Sequence, residues 1–519
     1  MPTAYELERE ANIARNQALL EQIFQGEESL VSRKRKVEED KANKKQAKPV
    51  GSEKRVKRET LDPPRRQSAR LRREVVDPNE SPAQRRKRES EAEKQRKKEE
   101  DERLEAEERA RQARRPRHDD LELSTLLESS EPSEEDKSSL RTTLNKLVQK
   151  SYYRRIADRD DFTFEEDDRD REKEEVQGLR TRLQEMVVVS RAKVTQDRVY
   201  SSAFHPEKSK DIIFFGDKHG QLGIWDARAP PDEMEDEDGD ITKDNREGGK
   251  YWRLQPHWPA TSKSSLSCIK VDPIDSHSVF TSAYDCTLRT TSFVSNVSRE
   301  IFSMDNTLIC SFDISSSGNE LWVSDAEGGL SHVDTREDKS KALRYELSGS
   351  KIGCVSINPT TPEMLLVASN DRTLKIWDAR KLGEIPKGIQ RSTRAHWLLS
   401  IPMANQLRIW DVSNNLQKRT SHFSFKPFCS INHDCQTGRW VTIFKAQWSP
   451  NPDAYPHFTV GNMRHSLDIY GCKGDLLVRL SDPNKISAVQ AVTCSHPNIV
   501  ERAASGNASG RCVLWAPLE

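Results

Sequence analysis

Apolar and polar positions change their rhythm near Met186. Beyond it, short runs alternate apolar with polar residues, the two-residue period of a half-buried strand. Asp217, Asp285, Asp325, Asp371, Asn462 and Asn507 punctuate these runs, and a β-branched run follows each. The text "IFFGDKHGQLGIWDAR" (Ile213–Arg228) recurs almost unchanged as "LLVASNDRTLKIWDAR" (Leu365–Arg380). The second runs of the units contain Leu222–Trp225, Leu288–Thr291, Leu330–Val333, Leu374–Trp377, Leu467–Tyr470 and Val513–Trp515, and a further one ends at Trp410–Asp411. A spacing of about forty residues is the period of a four-stranded propeller blade.

The residue types have physical reasons. Asp or Asn closes a tight turn because its side chain bonds to nearby backbone. A tryptophan at the end of a strand fills the space between adjacent blades. No blade covers its own apolar faces, so the units are stable only as a closed ring. These features predict an all-β, seven-bladed WD40 β-propeller over residues 185–519. "EMVVVSRAKVT" (Glu185–Thr195) is expected to supply the outer strand of the last blade.

Two irregularities interrupt the period. "PPDEMEDEDGDITKDNREGG" (Pro230–Gly249) is an acidic, turn-rich insertion that predicts a mobile loop over 230–249. The fifth unit, near 393–411, is too short: only about nine residues separate "TRAHW" (Thr393–Trp397) from "LRIWD" (Leu407–Asp411). "LLSIPMANQLRIWDV" matches the end of a blade whose first strands are missing, with Ala404 in place of the turn aspartate. This reads as a deletion, either real or an error of the gene model. If real, it leaves the ring strained or gapped.

Composition changes the picture for the first part of the chain. The 84 basic and 84 acidic residues balance, yet Lys, Arg, Glu and Asp crowd the region up to about Gln184. Such a segment buries too little apolar surface to offset the entropy of ordering it. Residues 1–118 are therefore expected to be a charged, largely disordered or helical region, and 119–184 a set of short amphipathic helices with an acidic linker. Ile13, Leu19, Leu20, Ile23 and Phe24 fit one face of a short N-terminal helix, either nascent or a docking peptide. "RESEAEKQRKKEEDERLEAEERARQARR" (Arg88–Arg115) predicts a solvated helix without an apolar stripe. Leu121, Leu123, Leu126 and Leu127, then Leu140, Leu144 and Leu147, are placed to pack against the domain that follows.

Basic clusters stand between prolines in the same region. Arg33, Lys34, Arg35 and Lys36 read as a nuclear import signal, and Arg65, Arg66, Arg70, Arg72 and Arg73 as an arm for DNA phosphates. A solvated charged tail is the plainer alternative. All nine cysteines lie after Met186, without C-x-x-C or zinc-ligand spacing, which reads as reduced thiols. There is no signal peptide and no apolar run of spanning length, so no membrane association is expected. G-x-S-x-G, phosphate-loop and H-E-x-x-H motifs are absent, and the histidines read as turn residues. The expectation is a non-enzymatic protein without a cofactor or metal.

"NHDCQTGRWVTIFKAQWSP" (Asn432–Pro450) and "PHFTVGNMRHSLDIY" (Pro456–Tyr470) go beyond generic propeller text. They resemble the fungal DNA damage-binding WD-repeat proteins of the changed-mutation-rate family. "NIARNQALL" (Asn12–Leu20), "FHPEKSKDIIFFGDKHGQLGIWD" (Phe204–Asp226) and "AVTCSHPNIVERAASGNASGRCVLW" (Ala491–Trp515) match it too. The short fifth unit is the departure. The resemblance implies a nuclear protein that binds single- and double-stranded DNA, prefers ultraviolet-damaged DNA, and acts in DNA metabolism on chromatin. The propeller is also similar to the lesion-reading subunit of the ultraviolet-damage sensor, whose hairpin before a "KA-x-W" strand enters the duplex. The matching hairpin is Gln436–Thr442.

A lesion weakens stacking, so a wedged side chain is stabilised preferentially there. Trp440 is then a stacking residue, Arg439 a phosphate contact, and Lys445 and Arg464 rim residues. A blade-packing tryptophan and exposed rim arginines are the plainer alternatives. Arg228 and Arg380 complete two W-D-x-R motifs, and Arg336 a degraded third. In propellers that serve cullin-4 ubiquitin ligases this arginine marks the adaptor-binding face. A substrate receptor of that kind and a protein scaffold without DNA contact are the alternative functions.

Overall fold

The computed structural model describes residues 94–95, 118–127, 134–153, 169–230, 248–359, 361–384, 397–400, 405–411, 427–438 and 441–518. All belong to the unit Ala92–Glu519. The N-terminal helix, the import cluster, the basic arm, most of Arg88–Arg115 and the core of the acidic insertion lie outside them.

The chain after Met186 is an all-β propeller of antiparallel sheets. Each blade meanders outward from a first, inner strand, and the inner strands lie against one another in an arc. That arc runs from Gln447–Trp448 through Val492–Ser495, Val199–Phe204, Leu266–Val271 and Ile309–Ile314 to Ile352–Ile357. Six blades therefore reach the centre. A further sheet of three strands (Trp397–Ser400, Gln406–Asp411 and Cys429–Asn432) has no inner strand among the described residues. This sheet is the short fifth unit, and residues 385–396, which lead into it, lie outside the described residues.

The ring closes through its N-terminal strand. Val187–Lys193 pairs antiparallel with Arg511–Ala516, from Val187 opposite Ala516 to Lys193 opposite Arg511. Its inward residues Val188 and Ala192 are buried. Tryptophans sit where blades meet. Trp225 packs with Ala192, Val194 and Val492, and Trp377 with Trp322 and Leu330.

The turn carboxylates do what their chemistry requires. Asp217 Oδ1 accepts from the N–H groups of His219 (2.7 Å) and Gln221 (2.9 Å). Asp325 Oδ1 accepts from Glu327 and Gly329, both at 2.8 Å. Asn462 Oδ1 receives the Arg464 N–H at 2.9 Å, and Asn507 Oδ1 that of Ser509 at 2.9 Å.

A strap precedes the ring. The "LELSTLL" stretch was expected to be an amphipathic helix; the helix is confined to its middle four residues, with extended backbone on either side. Leu121–Glu122 adds a strand to the second sheet, opposite Val297–Ser298, and only the single turn Leu123–Leu126 (α1) is helical. Pairing with an open sheet edge outcompetes a helix too short to be stable alone. Glu134–Asn145 (α2) is helical as expected, with Glu134, Glu135 and Asp136 at its positive end. Leu121, Leu123, Leu126, Leu127, Leu140, Leu144 and Leu147 all join the core of the first two sheets. Arg169–Gln184 (α3), read as acidic linker, is a helix whose Val176, Leu179 and Leu183 pack against Leu477 and Leu480. That i, i+3, i+7 stripe was legible but diluted by charge.

Glu207 fastens the strap. Its Oε2 accepts the N–H groups of Val148 (2.7 Å) and Gln149 (2.9 Å), and its Oε1 the Ser209 N–H and hydroxyl. Burial alone would raise this carboxyl's pKa; those four bonds together outweigh it and bring it to about 2. His205 Nε2 donates to the Ser276 carbonyl, and His496 Nε2 to the Glu207 carbonyl. Burial pushes both imidazoles down to about 4. Their folded pKa lies below the unfolded value of 6.5, so the unfolded chain binds more protons as pH falls. Stability is therefore expected to be full above about pH 6.5 and to be lost down to about pH 4, with Glu207 extending the loss toward pH 2. Between about pH 7.5 and pH 5 each histidine contributes a loss on the order of 2 kcal/mol. Urea unfolding at the two pH values measures it, and an unchanged midpoint would show that the histidines are not buried as described.

Candidate nucleic-acid interface

Turns between second and third strands share one face of the ring with the segments that enter the inner strands. Arg464 lies in such a turn, between His457–Asn462 and Ser466–Gly471, and Lys445 lies just before Gln447–Trp448. The described ends of the connection from Cys429–Asn432 to Lys445, residues 433–438 and 441–445, therefore lie toward this face.

The described ends of the connection are tethered. His433 bonds through Nε2 to the Gly461 carbonyl at 2.8 Å, and its N–H donates to Asn405 O at 2.9 Å. The Thr442 hydroxyl donates to the Val199 carbonyl at 2.5 Å, on the first blade. From Thr442 to Lys445 the backbone alternates sides. Thr442 and Phe444 are buried, whereas Ile443 is 67% exposed and Lys445 is exposed. Lys445 Nζ donates to the Ser267 carbonyl at 3.1 Å, on the second blade. Arg464 is exposed, and no ion pair among the described residues involves it. Arg439 and Trp440 lie outside the described residues. The flanking Gly438 carbonyl and Val441 N–H lie 3.5 Å apart.

Lys445 and Arg464 thus share a face, and the segment leading to Lys445 has access to solvent. The exposed Ile443, two residues before Lys445 and on the same side, was missed from sequence. Its signal is phase: an apolar residue at the polar position of an alternating run.

The W-D-x-R arginines follow third strands and therefore belong to the opposite face. Arg228 Nε donates to Asp211 Oδ2 at 2.7 Å, and the buried Asp211 also receives Arg502 at 2.8 Å. Arg380 is different. Its guanidinium grips its own motif aspartate, Asp378, through Nε and a terminal nitrogen, both at 2.9 Å, and is 64% exposed. This pairing holds the Asp378 carboxyl below its ordinary range and raises the guanidinium. Arg336 repeats it on Asp334. Only Arg380 of the two complete motifs presents its side chain openly to solvent.

The histidines are engaged in structure. His257 bonds through Nδ1 to Asp285 Oδ2 and through Nε2 to the Thr281 hydroxyl, each at 3.0 Å. Among the described residues, no His, Cys, Asp and Glu side chains gather in a group that could hold a metal. No helix among them is long and apolar enough to cross a membrane.

No family model matches the chain. The DNA damage-binding protein CMR1 of Aspergillus clavatus is 31% identical over 552 aligned residues, covering 98% of each chain. The chain belongs to the CMR1 family. The CMR1 of Cryptococcus neoformans is 35% identical over 66% of this chain and 71% of its own length. That of Mycosarcoma maydis is 28% identical over 99% of both. The CMR1 relationship thus extends across the charged region before the propeller, and the resemblance read from Asn432–Tyr470 is that of the family as a whole.

Proposed function

We propose that this chain binds single- and double-stranded DNA, prefers ultraviolet-damaged DNA, and acts without catalysis in DNA metabolism on nuclear chromatin. Support comes first from the CMR1 relatives, which are named for binding damaged DNA. The observation that carries the reading to residues is the face holding Lys445 and Arg464, crossed by a tethered segment whose exposed side includes Ile443. In this reading residues 1–118 carry the import signal Arg33–Lys36 and the arm Arg65, Arg66, Arg70, Arg72 and Arg73. Residues 185–519 form a ring of seven blades, with the short sheet as the fifth. Arg439 contacts phosphate, and Trp440 stacks on a base that the lesion has loosened.

Two measurements on the full chain test it. Trp440→Ala is expected to lower the preference for irradiated over intact duplex about tenfold, the loss of one base–aromatic stack. Unchanged selectivity rejects the wedge. Replacing the five arm arginines with glutamine is expected to flatten log K against log salt by about four, since each phosphate contact contributes about 0.7–0.9. A constant slope removes the arm from the interface.

A second reading rests on Arg380, exposed and pre-oriented by Asp378 on the far face. There the chain serves as a substrate receptor for a cullin-4 ligase adaptor. Arg380→Ala, with Arg228 left intact because it pairs with the buried Asp211, is expected to abolish adaptor co-purification. Failure of the unaltered protein to bind adaptor ends this reading.

A further inference from the structure

Three ammonium groups from separate parts of the ring converge on one stretch of the channel wall. Lys270 stands on the inner strand Leu266–Val271, Lys351 directly precedes the inner strand Ile352–Ile357, and Lys445 arrives from the far side of the arc. Lys445 Nζ reaches the carbonyl of Ser267, on the same strand as Lys270. Lys351 Nζ donates to the Tyr284 hydroxyl at 3.1 Å and stands 4.9 Å from that ring's centroid. Lys270 Nζ lies 2.5 Å from Asp313 Oδ1.

The three share neighbours. Lys351 and Lys445 both act electrostatically on Cys310, and Lys445 and Lys270 on Cys354. Among the described residues, only Lys270 of the three meets a carboxylate; Lys445 and Lys351 donate to a neutral carbonyl and a neutral phenol. The other carboxylate near Cys310, Asp325, is held by Arg344 at 2.8 Å. Positive charge thus exceeds negative here, inside protein walls that focus its field. Cys354 opens onto this space, yet the walls enclose it closely enough that desolvation raises its thiol pKa.

We propose that this part of the channel binds a phosphate group, with Lys351 and Lys445 as its direct ligands and Lys270 as supporting charge. An ammonium bonded only to neutral acceptors keeps donors and charge for an anion, and two such groups from opposite sides can clamp one. The phosphate has two sources: a DNA strand reaching in from the face that carries Arg464, or a free inorganic polyphosphate. The first source rests on the DNA-binding reading above; the second does not.

Cys354 reports occupancy. The full-length protein is labelled with a maleimide near pH 8, and modification of Cys354 is followed by mass spectrometry with the partly exposed Cys429 as internal control. Inorganic tripolyphosphate, or a 5′-phosphorylated single-stranded oligonucleotide, is expected to slow labelling of Cys354 at least about threefold by shielding it, while Cys429 is unaffected. The double variant Lys351→Gln/Lys445→Gln is expected to lose the protection. Lys445→Arg, which keeps the charge and guards against a folding defect, is expected to retain it. Protection by tripolyphosphate alone assigns the site to free polyphosphate; protection by the oligonucleotide assigns it to DNA backbone. No protection by either compound, or protection that survives the double variant, overturns the proposal. Affinity for irradiated duplex is measured on the same samples. If it persists without protection of Cys354, the channel site fails while the DNA-binding reading stands.

Discussion

Ala192→Asp is expected to destabilise the ring by about 4 kcal/mol or more, whereas Val187→Asp on the same strand costs about 1 kcal/mol or less. Both place one carboxylate on the strand that closes the ring. Parity separates them. The strand alternates sides, so Ala192 lies fully buried while Val187 is exposed at the strand's start. Ala192 packs with Trp225, Val194 and Cys512, where the last blade meets the first. An aspartate there has no cation to pair with among its apolar neighbours and splits the joint on which closure depends. Denaturant unfolding of the two variants beside the parent measures the difference. Equal losses would mean that Val187–Lys193 does not hold the last blade in the register described.

That strand was legible because its text obeys a rule with one answer. A β-branched run before the first blade and a last unit lacking its outer strand fit each other. The strap leucines were legible for a similar reason: apolar residues within a charged region must be buried somewhere. Their conformation was not, since Leu121–Glu122 chose the edge of the second sheet at Val297–Ser298, a partner far along the chain. The same limit hid the role of Arg228. Its motif reads as a rim arginine, but it pairs with Asp211 of its own blade, a carboxylate that Arg502 of the last blade joins only once the ring closes.

The candidate interface divides along the same line. Lys445 and Arg464 were chosen by resemblance, and the ring places them on one face. Lys270 and Lys351 were passed over, because a lysine in or beside a strand looks like ordinary solvated surface until the ring turns inner strands toward a shared channel. The short fifth unit was visible as missing text. Among the described residues its sheet has three strands and no inner one.

The second large effect concerns the turn carboxylates, which look equivalent in sequence and are not equivalent in the fold. Asp285 Oδ1 accepts the Thr287 N–H at 3.0 Å and its hydroxyl at 2.7 Å; Oδ2 meets His257 Nδ1 at 3.0 Å and the Trp258 N–H at 3.2 Å. Both His257 and Asp285 are buried. Asp285→Ala removes four partners at once and strands their donors away from water, so a loss of about 3–5 kcal/mol is expected. Asp371 occupies the matching turn of the fourth blade but is exposed, where water replaces its bond to the Thr373 N–H (2.8 Å). Asp371→Ala is expected to cost about 1 kcal/mol. Asp285→Asn keeps the shape and an acceptor for Thr287 but turns an amide toward one of its two sets of donors, so its loss should fall between the others. Urea midpoints in the order Asp371→Ala, Asp285→Asn, Asp285→Ala, from most to least stable, follow from burial. If the two alanine variants unfold together, the His257–Asp285 bond is not a load on the fold, and the second blade is held by its apolar core alone.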